Sequence, residues 1–325
     1  MSVSQRGSPG SPVGGHLRLA SLLLEAAARE AGLATHRLDP TVLVIDGPHR
    51  VHPFVGFAGP DYSRVAKHLA MRPALQTTVL RSRSVPTSPS RLVEAGDRAS
   101  AIKFLGSAPG WVAGTVVGSR RRLAAADAEA AERCWTTLDR GAQRSSDGAV
   151  LLQDLPDTVV AVTLVDQAPI AATRLRAERI VGDGESTLSD LLSSARRRAA
   201  AHPLLATAPQ HVPLWSTDLG VGYSEDPHLV LGRGDVMPCD PGRHLLSVGA
   251  LEDVTATCST QLVRLARAAL AAFPGLRSGV VGIDYRNPTD PRVTVVLPEP
   301  APFAHYPTAG AARDIASAIV RAFCR

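Results

Sequence analysis

An α+β fold is predicted by three observations. Apolar strand patterns come as neighbouring pairs, residues 159–165 with 169–176 and 278–285 with 291–297, each pair joined by a short turn that implies antiparallel pairing. The second strand of the first pair runs on as an extended segment carrying Arg174, Arg176 and Arg179, through the turn Gly182-Asp183-Gly184 straight into a helix. Finally, 325 residues suffice for two or three subdomains around substantial cores.

Composition sets the outer bounds. Hydrophobic residues make up 45% and charged residues 20%, the proportions of an ordinary soluble protein. A net charge of +5 is mild, and the basic runs Arg120–Arg122 and Arg196–Arg198 have no interleaved aromatics. They read as solvated faces or anion sites, and nucleic acid is excluded as a partner. Lys67 and Lys103 are the only lysines among 35 basic residues. Cys134, Cys239, Cys258 and Cys324 are scattered without a C-x-x-C, which argues for a reducing cytoplasm and against structural zinc. No apolar run is long enough to span a membrane.

In chain order, the Ser/Gly/Pro-rich residues 1–15 are expected to be a disordered tail. Residues 16–32 form an amphipathic helix ended by Gly32, and 41–45 a strand whose hairpin partner is 51–57. A helix over 62–71 completes a small N-terminal α/β domain, 16–70. Residues 92–93 continue as a strand, 97–105 as a helix, 110–122 as a strand and glycine-rich loop or, alternatively, a plain hairpin with a basic, solvated rim, and 123–142 as a long helix. The strand 149–155 precedes the pair 159–165 and 169–176, whose alternation predicts a half-buried sheet. After the Gly-Asp-Gly turn, Thr187 and Asp190 form a capping box, and Leu188, Leu191, Leu192 and Ala195 lie on one apolar face. A helix over 259–273 carries the stripe Leu262, Leu265, Ala266, Ala269.

Two carboxylates close the pattern. Asp284 ends the strand 278–285, and 287–290 is the turn. Centring the hairpin between Asp290 and Pro291 sets Asp284 opposite Leu297, with Glu299 diagonal to it and within reach of a shared cation. Two acids converging at strand ends suit Mg²⁺; an edge acid and a loop acid in water is the alternative.

The stretch Ile180 to Leu192 resembles the V-x-G-D-G-x-x-T-[IL]-x-x-L-[IL] signature of one branch of ATP-grasp ligases, the branch of cyanophycin synthetases and bifunctional glutathione synthetases. Gly182, Asp183, Gly184, Thr187, Leu188, Leu191 and Leu192 match position for position. The closing segment with Phe303, His305, Pro307, Thr308, Gly310, Arg313 and Asp314 also resembles that branch, so the likeness runs from about residue 70 to 325. It implies an ATP-grasp fold of two α+β subdomains, 71–148 and 149–325, clasping a cleft, with the metal site in the larger one.

The resemblance further implies which residues act. Gln153, Asp154 and Leu155 stand at the adenine hinge, with Gln153 where the family has glutamate. Gly182, Asp183, Gly184 and Arg120 fall to the nucleotide, Arg174 and Arg176 to phosphate or a developing oxyanion, and Asp284 and Glu299 to Mg²⁺. Several family residues are replaced. The lysine of the family's V-V-K-P strand is missing from Trp111-Val-Ala-Gly-Thr115, and Leu297 replaces the first metal glutamate. Two function classes stay open. One is an ATP- and Mg²⁺-dependent carboxylate–amine ligase working through an acyl phosphate on small-molecule or peptide substrates in the cytoplasm, a homo-oligomer being one option. The other is a binding or scaffold protein that kept the fold and lost catalysis.

Overall fold

A computed structural model describes residues 12–59, 63–107, 111–116, 119–124, 128–144, 148–156, 158–176, 179–201, 228–238 and 250–324. The expected tail falls outside these residues up to 11, but Pro12–Gly15 already belong to the first helix.

Helix α1, Pro12–Glu30, buries Ala20, Leu24, Ala27 and Ala28 along one side. Gly32 ends it at φ +75°, its N–H bonded to Arg29 O, a backbone state that glycine adopts without strain. A three-stranded antiparallel sheet follows, β1 (Ala34–Arg37), β2 (Val42–Asp46) and β3 (Val51–Val55). Strand β1 was not expected from the sequence; Arg37 on it pairs with Glu25 of α1.

Helices α2 (Arg64–Met71) and α3 (Pro73–Ser82) lead to a four-stranded sheet, ordered β4 (Ser90–Glu94), β7 (Ala149–Leu155), β5 (Trp111–Val116), β6 (Ser119–Ala124). Helices α4 (Arg98–Ser107) and α5 (Ala128–Gln143) close over it, around Val93, Leu105, Val112, Trp135, Leu138, Val150 and Leu152. Leu123 and Ala124, expected to begin a helix, end β6 instead. In β6 they pair with Val112 and Trp111, and cross-strand pairing outweighs their helix propensity.

The larger sheet has five antiparallel strands, ordered β12 (Leu251–Asp253), β9 (Ala168–Arg176), β8 (Thr158–Val165), β13 (Gly279–Asp284), β14 (Arg292–Leu297). Both of its faces are covered. Ala161, Val165, Leu175 and Val280 pack with α1 and the C-terminal helix α8 (Ile315–Phe323). Val160, Val162, Val281 and Ile283 pack with α2, α3 and α7 (Thr260–Ala271). Strand β8 is therefore buried along nearly its whole length, where alternation had predicted a half-buried strand. Valine, alanine and threonine occupy both of its faces, as burial on both sides requires.

Side chains and loops seal the two edges of this sheet. On β14, Gln76 accepts from Val296 N at 3.0 Å and donates to Val296 O at 2.7 Å. Gln153 donates to Thr294 O at 2.8 Å, and Val293 pairs with Pro86 O and Ser88 N. On β12, Leu251 O accepts from Thr308 N and Ala309 N, and Asp253 N donates to Ala309 O.

A smaller lobe holds β10 (Arg179–Val181), paired with β11 (Val236–Pro238), and α6 (Leu188–Ala201), around Ile180, Leu188, Leu192 and Ala195. Near the end of the chain, Arg313 donates to both oxygens of the buried Asp253, which also accepts from the backbone and hydroxyl of Thr255. The Nε2 atom of His305 accepts from the N–H groups of Ile315 and Ala316 and so caps α8. Burial lowers the His305 pKa, against the pull of Asp314, which favours the neutral ring that this cap needs.

Candidate functional site

Of the expected ligands, Asp284, Arg174 and Arg176 lie at one end of the large sheet, but not as the sequence arranged them. Asp284 lies opposite Val159, which lies opposite Leu175; the next row is Ile283, Val160, Arg174, Glu252. Opposed residues share a face and neighbours along a strand alternate. Arg174 and Arg176 therefore project from the face opposite to Asp284. Both turn to one carboxylate, Glu252, at 2.9 Å from Arg174 and 3.6 Å from Arg176.

The hairpin register corrects the expected metal pair. Asp284 lies opposite Arg292, and Leu297 lies opposite Val280, with a bulge at Gly282/Ile283. The turn is centred nearer Asp284 than the sequence implied, so Asp284 and Glu299 stand at opposite ends of the hairpin, about 20 Å apart along the strand. Glu299 is paired with Lys67 on α2 at 2.7 Å. The residues of β14 on Asp284's face are Arg292, Val295 and Leu297, none of them acidic.

Asp284 instead shares a guanidinium with Asp154, at the end of β7. Arg286 donates to Asp284 through Nε at 3.1 Å and Nη2 at 2.7 Å, and to Asp154 Oδ2 through Nη2 at 2.5 Å. The backbone N–H of Arg286 also reaches Asp284 Oδ1, at 3.0 Å. Both carboxylates are buried, their side chains 5% and 8% exposed. Hydrogen bonding to Asp284, against the cost of burial, raises the Arg286 pKa above its already high usual value. Asp154 Oδ1 is buried and has no hydrogen-bond partner among the described residues. A divalent ion of the Mg²⁺ kind needs several oxygens converging on one point. Among the described residues no three His, Cys, Asp or Glu side chains come together in that way. With Arg286 between the two carboxylates, these residues do not fit the metal that the resemblance implied.

The hinge and the glycine-rich strand are also committed. Gln153 is bonded to Thr294 O, Asp154 N donates to Pro89 O at 2.9 Å, and Leu155 is opposite Trp111 within the sheet. On β5, a Cβ added at Gly114 would lie 2.5 Å from Leu138 Cδ1, so the strand packs closely against α5 there. Arg120 lies on β6 opposite Thr115, and its side chain is outside the described residues.

The Gly182-Asp183-Gly184 turn is a packing device. A Cβ at Gly182 would lie 2.2 Å from Gly232 O, and Gly184 sits at φ +81°. Asp183 accepts from Glu185 N and from the backbone and hydroxyl of Ser186. Those Ser186 bonds, with the Glu185 amide, hold its carboxyl down to about 2. Thr187 Oγ1 accepts from Asp190 N at 3.2 Å, so the expected cap of α6 is present. The loop is a well-formed strand–helix connection whose acceptors are already used.

Sequence reasoning missed Arg286, Lys67, Glu252 and Gln76. Only Arg286 had a local signal, two residues after Asp284. The partners of the others are distant in the chain.

No protein-family model and no curated protein matches the chain. Among solved structures, a bifunctional glutathione synthetase from Pasteurella multocida superposes over 94% of this chain with a TM-score of 0.56 at 15% identity. The D-cycloserine synthetase DcsG (15% identity, 79% of this chain and 70% of its own, TM-score 0.44) and a D-alanine–D-alanine ligase from Bacillus anthracis (8%, 74% and 60%, 0.42) are weaker likenesses. This chain spans 44% of the glutathione synthetase's length. At such identity the likeness speaks for the fold alone. The chain has the ATP-grasp fold.

Proposed function

We propose that this chain is a catalytically degenerate ATP-grasp protein that acts as a binding or scaffold partner. One observation carries the reading. The acid expected to hold metal, Asp284, is bridged to Asp154 by Arg286, while its expected companion Glu299 is at the other end of the hairpin with Lys67. The loss of the strand lysine points the same way.

A second reading is an ATP-dependent carboxylate–amine ligase, with ATP and Mg²⁺ as cofactors and a small-molecule or peptide carboxylate and amine as substrates. It is favoured by the two guanidiniums of Arg174 and Arg176 sharing the single carboxylate of Glu252, which leaves positive charge for an anion. No helix among the described residues is long and apolar enough to cross a membrane.

Titration calorimetry with ATP, with and without Mg²⁺, followed by an assay for released phosphate over candidate substrates, separates the two. The binding reading expects no Mg²⁺-dependent heat and no ATP turnover. Mg²⁺-dependent turnover that is lost in both Arg174→Ala and Arg176→Ala establishes the ligase and overturns it.

A further inference from the structure

We infer that Arg286 is a resident cation: its guanidinium neutralises Asp154 and Asp284 where a divalent ion would otherwise have to, and it closes that acid pair to metal. The inference rests on the degenerate reading of the site, but its test involves no nucleotide.

The acids come from different sheets, Asp154 from the end of β7 and Asp284 from the end of β13, and both are buried. Two buried carboxylates drawn to one point repel unless a cation lies between them. Arg286 is that cation. It engages Asp284 through two nitrogens and Asp154 through one of the same two, in the fork geometry that a guanidinium offers and an ammonium does not. Its delivery is local, because the bond from Arg286 N to Asp284 Oδ1 folds the turn so that the side chain comes back over its own strand end. The link also joins the four-stranded sheet to the five-stranded one, next to the Gln153 bond to Thr294 O.

One guanidinium does not exhaust two carboxylates. Asp154 Oδ1 has no partner among the described residues. Emptied of the arginine, the same place would present converging carboxylate oxygens, the donor set of a hard divalent cation. The arrangement therefore makes opposite forecasts for wild type and for a variant without the guanidinium.

The experiment is thermal melting of the full chain in EDTA, in about 5 mM Mg²⁺ and in about 5 mM Mn²⁺, concentrations that would populate a weak oxygen site. Wild type is expected to melt at one temperature in all three. Arg286→Met, which keeps apolar bulk and removes the charge, is expected to melt roughly 10 °C lower in EDTA and to recover much of that with either ion. Adding Asp284→Asn to that variant removes one repelling charge, and the double variant is expected to fold and to ignore both ions. A wild-type melting temperature raised by Mg²⁺ or Mn²⁺ overturns the inference. So does an Arg286→Met protein, folded or not, that responds to neither ion. Metal-dependent ATP turnover by wild type would instead sink the degenerate reading and leave these melting results to be judged separately.

Discussion

Two buried aspartate–arginine contacts in this molecule look alike and are built differently. At Asp253, one carboxylate meets one guanidinium, and the Thr255 backbone and hydroxyl share its remaining acceptor capacity. At Asp284, one guanidinium serves two carboxylates, and an oxygen of Asp154 is left over. The first is a charge-balanced contact that ties β12 to the segment before α8. The second carries an excess negative charge and joins two sheets. Balanced pairs belong to the frame, while an unbalanced one marks a place where the chain holds chemistry it has not fully satisfied. In this molecule the unbalanced pair stands where the fold's ligand site was expected.

The comparison can be broken, most strongly at the balanced pair. Arg313→Ala leaves Asp253 buried without its cation and is expected to cost about 2–4 kcal/mol, discounted because the guanidinium is one-third exposed. Chemical denaturation would measure it, and a loss under about 0.5 kcal/mol would make Asp253 no part of the frame.

Acid offers the next effect. Burial pushes the Asp253 carboxyl up, but Arg313 and Thr255 overcome it and hold it at about 2, against 3.8 unperturbed. A carboxyl whose folded pKa is depressed contributes stability that is complete above its unfolded value and is lost as pH falls toward the folded one. Wild type should therefore lose stability between about pH 4 and 2, and Asp253→Asn should lose less over that interval. Equal slopes in the two proteins would remove Asp253 from the account.

The smallest effect is expected at the unbalanced site. Asp154→Asn removes the surplus charge and keeps an oxygen for Arg286. It should change stability by no more than about 1 kcal/mol, or raise it. A loss as large as that of Arg313→Ala would show that both acids are needed and that the two contacts are alike after all.

Much of the frame was legible in the sequence because it is locally encoded. Thr187 and Asp190 announce the start of α6, Ser259 that of α7, and the valine-rich runs of β8, β13 and β14 could be little but strands. Strand β6 was legible only as one of two alternatives, a hairpin or a glycine-rich loop, since its basic sequence Ser119–Ala124 has no apolar alternation and depends on β5 for its identity. The hairpin register failed for a related reason. A bulge at Gly282/Ile283 and the turn's true centre decide which residues are opposed, and neither leaves a compositional trace. The site was less legible than the frame. Asp154 and Asp284 were both singled out, but for separate tasks, and what unites them is an arginine 132 residues from one of its partners.

The sealed edges of the five-stranded sheet bear on how this protein can meet another. A free edge strand invites an incoming chain to add itself by backbone pairing, the commonest unspecific route to assembly. Here β14 is occupied by the amides of Gln76 and Gln153 and by residues 86–88, and β12 by residues 308–309. Strand addition to this sheet would require breaking those bonds first. A partner of this sheet must then be chosen by side-chain shape and charge, which ties recognition to sequence in a way that main-chain pairing does not.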